Sequence, residues 1–224
     1  MTFSISARCP ASGMFGIAIA SSSPAVAARC AHAASGVGVV ATQNITDPRL
    51  GRDGLALMAQ GASAAQARDI LVATRPHIAY RQLALVDAQG GTATFSGTQT
   101  LGIHATAEAP GAVAAGNLLA QDKVPQAMID GFAAADGALA DRLLAAMRAA
   151  RAAGGEAGPV HSAGLLLVRD VAWPVADLRV DWDDGDPIAV VGQLWARYEP
   201  QLTAYVDRAL NPSAAARFGV PGDP

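Results

Sequence analysis

Charge is scarce in this chain. Of 224 residues 16% are Asp, Glu, Lys or Arg, and 16 basic against 19 acidic groups leave a formal net charge of −3. No basic face able to neutralise a phosphate backbone is available, which argues against a nucleic-acid partner. Aromatic residues amount to 5%, so the core has to be assembled from small aliphatic side chains packed closely. Cysteine is nearly absent: Cys9 and Cys30 can make at most one bridge, too few for a disulfide framework, and this points to a reducing compartment. No stretch approaches the roughly 18 uninterrupted apolar residues of a membrane span. The longest runs, Gly36 to Ala41 and Ala163 to Val168, are strand-sized. The opening Met1-Thr2-Phe3-Ser4-Ile5 has neither the basic region nor the continuous apolar segment of a secretory signal. Secretion and membrane insertion are disfavoured, and a cytoplasmic protein is expected.

What the chain does have is 51% hydrophobic residues, enough to bury a real core and to exclude intrinsic disorder. The length fits one large domain over residues 1–224 better than two, with a tail that frays after about residue 211. Phe3, Ile5 and Ala7 alternate with Thr2, Ser4 and Ser6, the period-two signature of a half-buried strand beginning at residue 2. Pro10-Ala11-Ser12-Gly13 reads as a turn, after which Phe15, Ile17 and Ile19 resume the alternation as the second arm of a hairpin. A third strand is predicted over Gly36 to Ala41, running into Thr42-Gln43-Asn44, with Ser21 to Ser35 as an intervening segment of small residues.

Helices are predicted from Gly54 to Gln60 and from Ser63, where Ser63 and Gln66 have capping-box spacing. Strands over Arg81 to Val86 and Thr92 to Phe95 flank a turn at Asp87-Ala88-Gln89-Gly90-Gly91. A further strand is predicted at Ala112 to Ala115, ahead of Gly116-Asn117. A helical hairpin follows, with Pro125 in the first turn of one arm and Asp136 as N-cap of the other. Strands at Ser162 to Val168 and Asp177 to Val180 precede a last helix opened by Asp186-Pro187. Strands and helix pairs in this order, without regular βα alternation, predict an α+β fold of antiparallel sheets covered by helical layers.

Thr2 is the most informative position. Removal of Met1, usual before a small second residue, leaves a threonine whose α-amino group titrates near 8. One residue then offers a hydroxyl nucleophile and, through its own amine, the base that activates it. The chemistry needs a terminus pinned at the edge of a sheet, which a strand starting at residue 2 supplies. The structural alternative is a surface threonine beginning an edge strand.

Several motifs in order resemble one family. They are Thr2-Phe3-Ser4-Ile5 with Ala7-Arg8, Gly16-Ile17-Ala18-Ile19-Ala20-Ser21 with Pro24-Ala25-Val26, Gly36-Val37-Gly38 leading to Ala41-Thr42-Gln43, and Gly116-Asn117. Val86-Asp87-Ala88-Gln89-Gly90, Phe95-Ser96-Gly97, Gly154-Gly155, Ser162-Ala163 and Asp177-Leu178-Arg179-Val180-Asp181 continue the series. Together they resemble the DUF1028 family of the N-terminal nucleophile (Ntn) hydrolase superfamily, over residues 2 to about 195. The resemblance implies a four-layer αββα sandwich and a nucleophile at the mature N-terminus. It implies a superfamily chemistry of amide or related C–N bond cleavage, without a substrate. Two places depart from the family pattern: Ser22-Ser23 follow Ser21 where a basic residue is usual, and Gly158-Pro159-Val160-His161 stands where the family is basic and Gln-rich. Both belong to the expected site entrance, so substrate choice is expected to differ.

Oxyanion stabilisation needs backbone N–H groups or a side-chain amide aimed at the developing charge. Asn44, past the third strand, and Asn117 are the candidates. Either can instead be a turn residue bonded to its own backbone. Ser21, ending the strand beside the first, is placed to orient the Thr2 amine, or to act as a cap or turn hydroxyl. Ser22, Thr42, Gln43 and His161 complete the expected substrate-binding set. Asp87 reads as a turn former rather than a catalytic acid. His32, His77, His104 and His161 are scattered, without metal-ligand spacing, and no phosphate or dinucleotide fingerprint is present, so neither metal nor cofactor is expected. Cys30 beside His32 lacks an orienting group and reads as a small buried hydrophobe. The acidic run Asp181 to Asp186 lacks EF-hand spacing and reads as a solvated turn. The expected function is hydrolysis of a small-molecule amide through an acyl-enzyme on Thr2, by a homo-oligomer of two or more copies. The alternative is a non-catalytic ligand-binding or assembly protein on the same scaffold.

Overall fold

Ten strands and seven α-helices make up the described part, residues 1–215, of this computed structural model. The strands are β1 (Thr2–Arg8), β2 (Phe15–Ser21), β3 (Ala31–Ala34), β4 (Gly38–Asn44), β5 (Arg81–Asp87), β6 (Thr92–Ser96), β7 (Ala105–Ala109), β8 (Ala112–Asn117), β9 (Ser162–Val168) and β10 (Ala176–Val180). The helices are α1 (Val26–Cys30), α2 (Arg49–Ala59), α3 (Ala64–Thr74), α4 (Val124–Ala134), α5 (Leu139–Ala152), α6 (Pro187–Tyr198) and α7 (Leu202–Leu210). One sheet has six strands in the order β10-β9-β2-β1-β8-β7 and the other four in the order β3-β4-β5-β6. Every pairing is antiparallel.

The alternation along β1 decides how the layers stack. Phe3, Ile5 and Ala7 pack with Met128, Phe132, Leu143 and Met147 of α4 and α5. Residues 2, 4 and 6 face the second sheet, where the Ser4 hydroxyl reaches Gln43 of β4. Phe15, Ile17, Val39, Ala41, Val86 and Val113 fill the space between the sheets. On the far side Val40, Leu83 and Leu85 pack against Leu50, Met58 and Leu71 of α2 and α3. Helices, sheet, sheet, helices follow one another: antiparallel sheets under helical layers, as the element order predicts, in the four-layer αββα sandwich that the family resemblance implies. Strands covered on both faces carry continuous apolar runs, and β9, Ser162-Ala163-Gly164-Leu165-Leu166-Leu167-Val168, is buried throughout.

Several local expectations shift. The segment Ser21 to Ser35 forms α1 and β3 rather than a plain connection. Gly164 makes room for α1, because a Cβ there would stand 2.4 Å from the Ala27 Cβ. The strand β7 was not among those expected, although Ala105, Ala107 and Ala109 alternate with Thr106 and Glu108; its apolar face is made of alanine alone and is only partly buried. The helix α5 begins at Leu139, not after Asp136: Asp141 reaches back to accept the Ala138 N–H at 3.1 Å, a cap that acts from inside the helix. Asp186 does cap α6, accepting the Ala189 N–H at 3.1 Å, yet α7 follows it, so α6 is not the last helix. The tail expected to fray falls largely in residues 216–224, outside the described residues. Among the described residues no helix is long and apolar enough to cross a membrane.

Candidate active site

The strand β1 lies inside its sheet, between β2 and β8, so its first residue is held on both sides rather than at an edge. Thr2 is 5% exposed. Its Oγ1 donates to the Met1 carbonyl at 2.5 Å and lies 3.3 Å from Ser21 Oγ at the end of β2. The Ser21 hydroxyl accepts the Ser23 N–H at 3.0 Å and donates to the same Met1 carbonyl. On the other side Thr2 is the register partner of Asn117, the last residue of β8. With Met1 attached the Thr2 nitrogen is an amide; it becomes basic only when Met1 is gone.

A buried chain of polar side chains runs behind Thr2 between the sheets. Ser4 Oγ donates to Gln43 Oε1 at 2.8 Å, and Gln43 Nε2 donates to Gln82 Oε1 at 2.8 Å. Asn117 Nδ2 donates to that same Gln82 oxygen at 3.1 Å. Gln82 Nε2 donates to the Gly116 carbonyl at 2.9 Å and to Ser96 Oγ at 3.0 Å. Ser4, Gln43, Gln82 and Asn117 are fully buried. Polar groups removed from water hold each other firmly when satisfied, so this network fixes Asn117 against the second sheet. Asn117 Oδ1 is left without a hydrogen-bond partner among the described residues.

Glu156 stands at the same end of the sheet. A bridge pairs it with Leu119, just beyond β8. It is 4% exposed, and neither carboxylate oxygen has a well-formed hydrogen bond among the described residues, although the Ser22 N–H and hydroxyl stand near it. Burial pushes its carboxyl up to about 7, while the positive charge at the Met1 terminus and the Ser22 N–H and hydroxyl pull the other way. A cavity of about 260 Å³ opens beside it, lined by Phe3, Arg151, Glu156, Gly158, Asp184 and Asp186, among others. A larger cavity of about 870 Å³ lies between α5 and α6 in the outer layer, and Thr2, Ser21 and Asn117 line neither of the two.

The remaining residues named from sequence divide in two. Gln43 belongs to the buried network; Ser22 faces Glu156. His161 joins the end of β2, its N–H donating to the Ser21 carbonyl at 2.9 Å. Its ring stacks on Trp182 at 4.2 Å and its Nδ1 lies 3.4 Å from Asp184 Oδ1. Asn44 and Thr42 are not brought to Thr2. Asn44 has φ 73°; its amide donates to the Tyr80 carbonyl and its Oδ1 accepts the Leu101 N–H, so both ends are committed to backbone. The Thr42 hydroxyl turns outward, 3.3 Å from the Asp47 carbonyl. Asp87 is a structural carboxylate that accepts the N–H groups of Ala64, Gln89 and Gly91. Cys9 and Cys30 are both free, and among the described residues no cluster of His, Cys, Asp or Glu could hold a metal ion. Sequence reasoning missed Gln82 and Glu156. The one available signal was an acidic residue set in the otherwise uncharged run Gly154-Gly155-Glu156-Ala157-Gly158-Pro159.

The architecture is thus an αββα sandwich with a hydroxyl nucleophile candidate at the start of an inner strand. A family model described as a family of unknown function, DUF1028, matches residues 2–191. The crystal structure of a Silicibacter pomeroyi protein of that family superposes with a TM-score of 0.82 at 30% identity, covering 88% of each chain. This chain therefore belongs to the DUF1028 family. Two more distant structures are Anbu (ancestral beta-subunit) from Yersinia bercovieri and an Anbu Gly-1 mutant from Hyphomicrobium sp. strain MC1. The first is 13% identical with a TM-score of 0.40, covering 91% of this chain and 97% of that one. The second is 11% identical with a TM-score of 0.42, covering 92% and 100%. At such scores neither bears on function. No curated protein matches the chain.

Proposed function

We propose that the chain, once Met1 is removed, is a hydrolase that cleaves a small amide or related C–N bond through an ester on Thr2. The observation that carries this reading is a buried threonine hydroxyl on an inner strand, already 2.5 Å from a carbonyl oxygen that the Ser21 hydroxyl also binds. In the processed chain the Thr2 amine takes the proton from its own Oγ1, directly or through a water, as that oxygen attacks the substrate carbonyl carbon. Ser21 acts as a donor to the developing oxyanion, the role its contact with the Met1 carbonyl prefigures. Asn117 Oδ1, buried and unpaired, accepts from the Thr2 amine and orients it, while Gln82 holds Asn117 in place. The Thr2 ammonium passes that proton to the leaving amine as the C–N bond breaks, and water then hydrolyses the ester, releasing the acid and restoring the Thr2 hydroxyl.

The test is covalent. An activated ester or β-lactone probe incubated with the processed protein is expected to leave its acyl group on Thr2, mapped by peptide mass spectrometry, and to leave nothing on Thr2→Ala. Modification confined to other residues contradicts the mechanism.

A further inference from the structure

Met1 occupies three places at once. Its carbonyl oxygen accepts from the Thr2 and Ser21 hydroxyls. Its side chain lies over Gly158, where an added Cβ would meet Met1 Cε at 3.1 Å and Sδ at 3.6 Å. Its terminal ammonium is close enough to act electrostatically on the Glu156 carboxylate. An acyl group carried by Thr2 Oγ1 would sit within a bond or two of the Met1 acyl carbon, so the first residue outlines the shape and charge of what the site can take.

Glu156 shows what is missing once Met1 leaves. A carboxylate that is 4% exposed, with no well-formed hydrogen bond and only the Ser22 N–H and hydroxyl near it, is a costly arrangement unless a cation compensates it. Of the other charged residues lining the cavity, Arg151 is engaged by Asp186, and Asp184 takes the Trp182 indole N–H at 3.0 Å. The wall is therefore net acidic. The cavity of about 260 Å³ is space beside Glu156 with Met1 still in place, so departure of Met1 opens room for a group of amino-acid size next to it. The Thr2 amine of the processed chain is the other candidate cation. An amine that serves as the base has to be unprotonated, and a buried carboxylate clamped on it would hold the proton in place.

We propose that Glu156 and the cavity beside it form a subsite for a primary ammonium group, so that the substrate is an α-aminoacyl amide, its carbonyl on Thr2, its ammonium toward Glu156 and its side chain over Gly158. The inference rests on the reading of Thr2 as acyl acceptor and assigns the acyl half of the substrate.

The test uses the full-length processed chain and two probes that differ in one group, the p-nitrophenyl ester of L-methionine and its N-acetyl derivative. Acylation of Thr2 by the free-amine ester is expected to exceed that by the acetylated ester by at least about tenfold. In Glu156→Gln, which keeps the shape and removes the buried charge, the two rates are expected to converge. Equal labelling by both esters in the wild type overturns the subsite and leaves Thr2 standing. A Glu156→Gln variant that slows both esters equally also overturns it, because Glu156 then acts on the Thr2 amine. If neither ester modifies Thr2, the Thr2 reading fails and binding decides the subsite. Calorimetry should then find L-methionine amide bound by the wild type and at least about tenfold more weakly by Glu156→Gln; no binding, or equal binding, overturns it.

Discussion

The hydroxyls of Thr2 and Ser21 stand 3.3 Å apart and converge on one carbonyl oxygen, that of Met1. The hairpin of β1 and β2 creates this relationship: Phe3 pairs with Ala20, so the next residue outward on each strand must meet. The nucleophile candidate and a hydrogen-bond donor are set side by side by strand register, not by a flexible loop.

Thr2→Ser keeps a hydroxyl and an amine in the processed chain and is expected to retain acylation by an activated ester. Thr2→Ala is expected to lose it while remaining folded. Removing the Thr2 hydroxyl takes away about 1 kcal/mol of hydrogen bonding, and for a chain of this size the thermal midpoint should fall by only about 2–4 °C. Label incorporation and a melting curve on the same samples check both parts. Loss of labelling together with collapse of the melt would mean that Thr2 is structural.

Gln82 bonds four groups of the buried layer: Gln43, Asn117, Ser96 and the Gly116 carbonyl. Gln82→Leu strands the Gln43 and Asn117 amide groups in a buried layer, and each unsatisfied group costs about 1–3 kcal/mol. A loss of about 3 kcal/mol in urea unfolding is expected, with reduced Thr2 acylation in the native baseline as Asn117 loses its support. Unfolding curves that superimpose on the wild type contradict the network.

Glu156 makes stability depend on pH. Burial raises its folded-state carboxyl from the ordinary 4.5 to about 7, so folding favours the protonated form. Nothing is lost below the ordinary value; the penalty grows as pH rises from about 4.5 to 7 and is complete above that. The shift corresponds to at most about 3 kcal/mol. In the chain that keeps Met1, Glu156→Gln should be the more stable protein at pH 8 and indistinguishable at pH 4. Arg151, Asp184 and Asp186 around the cavity are common to both proteins. Urea midpoints across this range check the prediction, and parallel profiles contradict it.

Gly164 tests how tightly α1 is seated. Its missing Cβ leaves room for Ala27, whose Cβ would be only 2.4 Å away, and overpacking of this kind costs about 1–3 kcal/mol. Gly164→Ala should destabilise by that amount and loosen the connection after Ser21, where the Val26 N–H is bound by the Ser162 hydroxyl at 3.2 Å. Hydrogen exchange of the α1 amides reads this directly; unchanged protection in Gly164→Ala contradicts it.

Period-two alternation made β1 and β2 legible from sequence, because each strand sets its larger apolar side chains on one face and small or polar ones on the other; the half-buried strand expected there is in fact covered on both faces, by helices and by the second sheet. Capping chemistry at Ser63 and Asp186 did the same for the starts of α3 and α6. The α1–β3 segment was illegible because alanine favours helix and is depleted in strands, yet Ala31, Ala33 and Ala34 stand in β3. In β7 the alternation of Ala105, Ala107 and Ala109 with Thr106 and Glu108 was there to read, but alanine is too small to mark a strongly apolar face. At the site, Thr2 could be named from its position alone. Its pairing with Asn117 could not, since register across β8 depends on contacts more than a hundred residues apart. The same limit hid Gln82 and Glu156, whose burial is a property of the assembled layers, and it left Asn44 and Thr42 beside the right strand but pointing elsewhere.

The central claim is that Thr2 becomes the first residue of the working protein. Intact mass spectrometry of the protein purified from its native host tests this most directly. The account predicts a mass lower by one methionine residue, with an N-terminal peptide that begins at Thr2. A protein that keeps Met1 has no free Thr2 amine, and that result would contradict the mechanism.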